Sequence, residues 1–156
     1  MGQIFVLPDD EIEELLRTAI VGRIACCDHQ EASGRPYLVP LSYGYDGTSI
    51  YAHTGPGRKL RTMRANPLVT IEVDEATAPD RWRSVVAEGI FEELTDLSEI
   101  ERGLRVIYPE PKPVPDLGSQ TVVFRIRLTA KSGRYEVPDE LMNVDGLNRT
   151  LCSALD

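Results

Sequence analysis

The sequence predicts a mainly β protein, an antiparallel barrel of six strands with short helices appended. Three observations carry this. Apolar residues alternate with polar ones in short runs, Asp46-Gly47 marks a tight hairpin between two such runs, and no regular strand–helix alternation runs through the chain. The 156 residues are one domain's worth, so a single domain over 1–156 with one site is expected.

The elements follow in order. Pro8 with Asp9, Asp10 and Glu11 opens a helix whose acids complement the macrodipole, and Ile12, Leu15, Leu16 and Ala19 form its apolar stripe up to Gly22. Residues 23–27 are a strand and 28–35, with Ser33-Gly34, a turn. In 37–45, Tyr37, Val39, Leu41, Tyr43 and Tyr45 share one face while Leu38, Pro40, Ser42 and Gly44 share the other; 49–54 returns as the paired strand. Gly55-Pro56-Gly57 breaks that strand, a helix covers 59–66, and Asn66-Pro67 stops it. Strands at 68–74 and 83–94 flank a loop at 76–81, with Gly89 marking a bulge. A helix at 96–108 buries Leu97, Ile100, Leu104 and Ile107, the prolines of 109–115 run extended, and 121–128 is the last strand. The tail, from about 136 to 156, carries Leu141, Met142, Leu147, Leu151 and Leu155 and is expected to cover the barrel or a partner subunit.

Composition narrows the function. A net charge of -8 argues against general nucleic-acid binding, which needs a positive surface. No run is long and apolar enough for a membrane span, and the start lacks a basic segment followed by an apolar one; a cytoplasmic protein is expected. Three cysteines, two of them adjacent at Cys26 and Cys27, give neither a paired disulfide framework nor zinc spacing, so reduced thiols are expected. With only His29 and His53, no metal site is expected.

The chemistry concentrates at His53-Thr54-Gly55-Pro56-Gly57-Arg58-Lys59. A hydroxyl at a strand end, glycines that let a ligand approach the backbone, and two cations at a helix start suit a phosphate. Arg61 and Arg64 add to the positive charge. A solvated basic helix face is the equal alternative on spacing alone. No Gly-x-Gly-x-x-Gly, Walker loop or Gly-x-Ser-x-Gly elbow occurs.

Read together and in order, Val21-Gly22-Arg23-Ile24-Ala25, Pro36-Tyr37-Leu38-Val39-Pro40-Leu41-Ser42-Tyr43, Ile50-Tyr51-Ala52-His53-Thr54, Gly57-Arg58-Lys59, Asn66-Pro67 and Trp82-Arg83-Ser84-Val85-Val86-Ala87-Glu88-Gly89 resemble the pyridoxamine 5′-phosphate oxidase-like split-barrel flavoproteins. The resemblance covers roughly 12–94 and is strongest to the branch of the nitroimidazole-resistance proteins. It implies a six-stranded split β-barrel, FMN as cofactor, and a homodimer with the flavin at the subunit interface. The backbone of Val39, Pro40, Leu41 and Ser42 would lie along the isoalloxazine ring; His53 and Thr54 would border ring and phosphate; Gly57, Arg58 and Lys59 would hold the phosphate; Ser84 would contact the flavin, and Trp82 would approach it or pack as an ordinary indole.

The implied activity is an FMN-dependent oxidoreductase passing hydride or electrons from a reduced nicotinamide to a small acceptor, with His53 as the candidate catalytic residue. Alternatives on the same barrel are a deazaflavin-dependent reductase, a haem-binding member, or a flavin-binding protein without turnover. The chain lacks an arginine- and tryptophan-bearing ending after Thr129 like that of the parent oxidase, so the parent reaction itself is not expected.

Overall fold

The computed structural model describes residues 2–29 and 34–142. In chain order these form β1 (Gln3–Val6), α1 (Asp9–Thr18), β2 (Val21–Cys26), β3 (Tyr37–Ser42), β4 (Gly44–Tyr45), β5 (Ser49–Thr54), α2 (Arg58–Ala65), β6 (Leu68–Ala78), β7 (Arg81–Glu93), α3 (Leu97–Ile107), β8 (Val122–Val137) and α4 (Asp139–Met142). The strands make one antiparallel sheet in the order β3-β2-β6-β7-β8-β5-β4, with β1 added along the end of β8. The sheet curls into a half-barrel, so the expected class holds.

The sheet has eight strands rather than six, for two physical reasons. β1 is four residues with Ile4 and Val6 exposed, too short and too uniformly apolar to show alternation. The run 37–45 is broken at Tyr43, whose amide donates to Ile20 O at 3.3 Å and whose hydroxyl donates to Leu16 O at 2.8 Å. Other boundaries move as well. α1 stops at Thr18, and Gly22 lies inside β2, where an added Cβ would stand 3.1 Å from Glu72 O. The expected loop at 76–81 shrinks to Pro79-Asp80, because β6 and β7 stay paired out to Ala78 and Arg81.

β8 runs well past the expected end at 128. Opposite Glu88 and Gly89 the register slips, leaving Thr129 as an extra residue, which is the bulge Gly89 signals. Beyond it the exposed run Thr129-Ala130-Lys131-Ser132 hides the strand from a pattern search. Residues 136 and 137 belong to β8, and the tail beyond 142 lies outside the described residues.

Two apolar clusters hold the fold together. The larger joins the concave sheet face, with Ile24, Leu41, Ile50, Ile71, Val73, Val85 and Phe124, to Leu15 and Leu16 of α1 and Leu60 and Met63 of α2. The smaller packs Ile100, Leu104, Val106 and Ile107 of α3 on Tyr51, Leu94 and Val123. Leu97, expected in that stripe, is instead exposed at the first residue of α3. The proline segment, expected to run extended, opens instead with a turn closed by Lys112 N donating to Pro109 O at 3.0 Å. Among the described residues no helix is long and apolar enough to cross a membrane.

Candidate functional site

β5 ends at Thr54, Gly55-Pro56-Gly57 crosses the end of the sheet, and α2 starts at Arg58. The three long helices differ in how they begin. α1 opens on Asp9, Asp10 and Glu11, and α3 opens under Asp96, whose carboxylate accepts from Ser98 N and Glu99 N. α2 has no side-chain cap and no acid in its first turn; Arg58 and Lys59 come first. Cations at the positive end of a helix oppose the macrodipole, a conflict that a bound anion removes.

Lys59 sharpens the point. Its ammonium is half-buried, burial lowers its pKa, and it makes no hydrogen bond or ion pair among the described residues. The neighbouring Arg58 lays its guanidinium over the Tyr37 ring, 4.6 Å from the centroid. Arg64 turns away to Glu93, with contacts of 2.9 and 2.7 Å, so the four cations of the sequence do not act as one cluster. At Gly55 and Gly57 an added Cβ would meet nothing within 4 Å, and neither backbone is left-handed. Nothing inside the chain therefore calls for glycine there, and the backbone of the turn is open to close approach from outside.

His53 and Thr54 stand at the same rim. Thr54 is half-buried, its hydroxyl donating to Gly55 O at 3.2 Å. His53 Nε2 lies 2.7 Å from the Tyr108 hydroxyl, and burial followed by the charge of Lys59 lowers the imidazole pKa. On β2, Cys26 is buried, its thiol pushed up by burial and directed at Tyr37 O across 3.8 Å. It acts as a small hydrophobe, as expected.

The remaining predicted residues lie on β3 and β7. Val39 and Leu41 face the core, while Pro40 and Ser42 are exposed on the outer sheet face. Pro40, Arg23, Glu72 and Val86 form one row across β3, β2, β6 and β7, with Arg23 tied to Glu72 and Asp74. Ser84 stands in the next row between Asp74 and Arg134. Trp82 Nε1 donates to Glu136 at 2.6 Å, and Glu136 also accepts from Gly2 N, so the indole fastens β7 to β8 and to the start of the chain.

The structure thus brings His53, Thr54, Gly57, Arg58 and Lys59 together and leaves Trp82 and Ser84 on the outer face of β7. Sequence reasoning missed Tyr37 and Tyr108 as site neighbours. Tyr37 shows only as one of a strand's alternating residues, and Tyr108 meets His53 only because α3 docks on β5. Among the described residues no group of histidine, cysteine and carboxylate side chains could hold a metal.

A curled antiparallel half-barrel with an uncapped, cationic helix start at its rim defines a member of the split-barrel class. The family model described as pyridoxamine 5′-phosphate oxidase matches residues 8–135, and the chain belongs to this family. A crystal structure of an FAD-binding protein from Mesorhizobium loti is 36% identical, covering 86% of this chain and 99% of that one at a TM-score of 0.70. A Bacteroides thetaiotaomicron protein named for 5-nitroimidazole antibiotic resistance shares the fold at 21% identity and a TM-score of 0.73, over 86% of this chain and 89% of that one. An uncharacterized protein of Rhizobium meliloti is 33% identical over 89 residues, which span 57% of this chain and 56% of that protein.

Proposed function

We propose that the protein binds FMN and works as an oxidoreductase, passing hydride or electrons from a reduced nicotinamide to a small acceptor such as a nitroaromatic, a quinone or another flavin. The observation that carries this reading is the half-buried Lys59 ammonium, which has no counter-ion among the described residues and stands at an uncapped helix start. A phosphate supplies what that pocket lacks. Arg58, Lys59 and the first amides of α2 hold the phosphate, Thr54 adds a hydroxyl, and Gly57 leaves room for the approach. The backbone of Val39, Pro40, Leu41 and Ser42 flanks the ring, Ser84 meets the flavin only where the ring extends over the outer sheet face, Trp82 packs as an ordinary indole held by Glu136, and His53 positions the acceptor.

Once bound, the flavin supplies the redox chemistry through its ring N5; the chain itself binds, orients and excludes water. Exposed Val21, Leu38, Leu68 and Val86 lie on the outer face of the sheet, with Ile4 and Val6 at its border, which supports a homodimer closed over that face and over the flavin. The relative from Mesorhizobium loti favours FAD as the second reading of the cofactor. FAD would use the same phosphate contacts, with the adenylate extending beyond them.

Absorption and mass analysis of the protein as isolated test the class directly. FMN or FAD gives a band at about 450 nm and is told apart by mass; a deazaflavin absorbs at shorter wavelength, and haem gives an intense Soret band. The double variant R58A/K59A then tests the pocket. Charge-assisted contacts are worth about 1.5 to 3 kcal/mol each, so FMN affinity should fall roughly a hundred-fold or more while riboflavin affinity changes little. Equal losses for the two ligands would remove the phosphate assignment. Turnover with NADH or NADPH across an acceptor panel separates an enzyme from a flavin carrier.

A further inference from the structure

His53 and Tyr51 of β5 look away from the large core toward α3, opposite Val123 and Arg125 of β8. The His53 ring is stacked on Tyr108 at 5.9 Å between centroids and 28° between planes, with Nε2 at 2.7 Å from the hydroxyl. Nδ1 has no hydrogen-bond partner among the described residues. Lys59 approaches from the first turn of α2 and is the charge that acts on the ring. Val122 and Val123 bring no charge from β8, and Arg125, further along, is already paired with Glu92 and Glu99.

We infer that Tyr108 is a positioning residue of the anion pocket: it fixes the His53 ring through Nε2, leaves Nδ1 as the free nitrogen, and so couples anion capture beside Lys59 to proton uptake on His53. This rests on the phosphate reading of the pocket. With no anion bound, burial and the Lys59 charge both disfavour imidazolium, and the ring is neutral, Nε2 accepting from the tyrosine hydroxyl. A phosphate on Lys59 cancels that charge and adds its own negative charge near the ring. Nε2 then takes up a proton from solvent while Nδ1 keeps the one it already carries, and the hydroxyl reverses its role to accept from Nε2–H. A tyrosine serves both states without moving; a phenylalanine serves neither.

The test is an NMR titration of His53, assigned with H53Q because His29 is the one other histidine. In the free protein the midpoint should lie below the ordinary value of about 6.5. Saturating FMN, or inorganic phosphate alone, should raise it by about one pH unit, and riboflavin should leave it in place. In Y108F, at saturating FMN, the rise should fall to roughly half or less, and the nitrogen shifts should report mixed tautomers. A midpoint unmoved by bound FMN, or a rise undiminished in Y108F, overturns the inference.

Failure of the wild type to bind FMN overturns the proposed function instead, and the phosphate titration then decides the coupling by itself. Should Y108F not fold, calorimetry of FMN binding at about pH 6.5 in buffers of different ionisation heat reads the same coupling. Proton uptake present in the wild type and absent in H53Q upholds it; equal uptake in both overturns it.

Discussion

Arg83 is a cation set almost wholly inside the protein, its side chain 9% exposed, and it faces three carboxylates. Its guanidinium lies 3.1 Å from Glu14, 2.9 Å from Glu75 and 3.8 Å from Glu11, whose Oε2 is buried without a hydrogen bond. The arrangement bolts α1 to β6 and β7. Removing the cation leaves the mostly buried Glu11 carboxylate without its counter-ion, whereas Glu14 and Glu75 stay largely in water, which screens them. Arg83→Met is therefore expected to lose about 1 to 3 kcal/mol of stability, measured by urea unfolding. The sequence shows Arg83 only as an interruption in an apolar strand, whereas Lys59 is legible beforehand because glycine and proline mark the turn in front of it.

At the level of elements, α3 sits where it does because Gly44 has no side chain. A Cβ at that position would stand 2.2 Å from Val106 O, inside the helix backbone. Gly44→Ala should push α3 off β4 and β5 at a cost of about 1 to 3 kcal/mol, read from thermal unfolding, and should also lengthen the contact between Tyr108 and His53. Elements with sharp punctuation were legible in the sequence: α2 between Gly57 and Asn66, and the Asp46-Gly47 turn, where Asp46 accepts from Thr48 N and Ser49 N. The hairpin, however, joins only Gly44-Tyr45 to β5, while Tyr37–Ser42, expected in it, pairs with β2 instead. β1 and the second half of β8 were not. Their pairing is with each other, Gln3 to Val137 through Val6 to Arg134, a partnership across the whole chain that no local pattern encodes. The same limit hid Tyr108, a residue whose role depends on where a helix docks.

For the molecule as a whole, solution mass and acid stability are the properties to measure. If the outer sheet face closes a dimer, L38E combined with V86E should yield a monomer by light scattering and weaken FMN as well, since the cofactor lies at that interface in the proposed assembly. Acid should unfold the protein through its paired carboxylates. Hydrogen bonds from Arg125 and Arg64 hold Glu92 and Glu93 below their ordinary 4.5. Burial raises Asp46, but the amides of Thr48 and Ser49 outweigh it and leave the group below 3.8. Such groups contribute fully above the unfolded value and lose their contribution as pH falls through the lower folded one. Glu72, raised by burial and by Asp74, works in the opposite direction. The urea midpoint should thus hold level down to about pH 5 and decline below about pH 4.5. One further property belongs to β3, which ends the sheet with a single neighbour, β2. An open strand border invites endless addition of foreign strands, and Pro40, unable to donate there, spoils the template. The border that flanks the flavin ring in the proposed complex is thereby also protected against fibre growth.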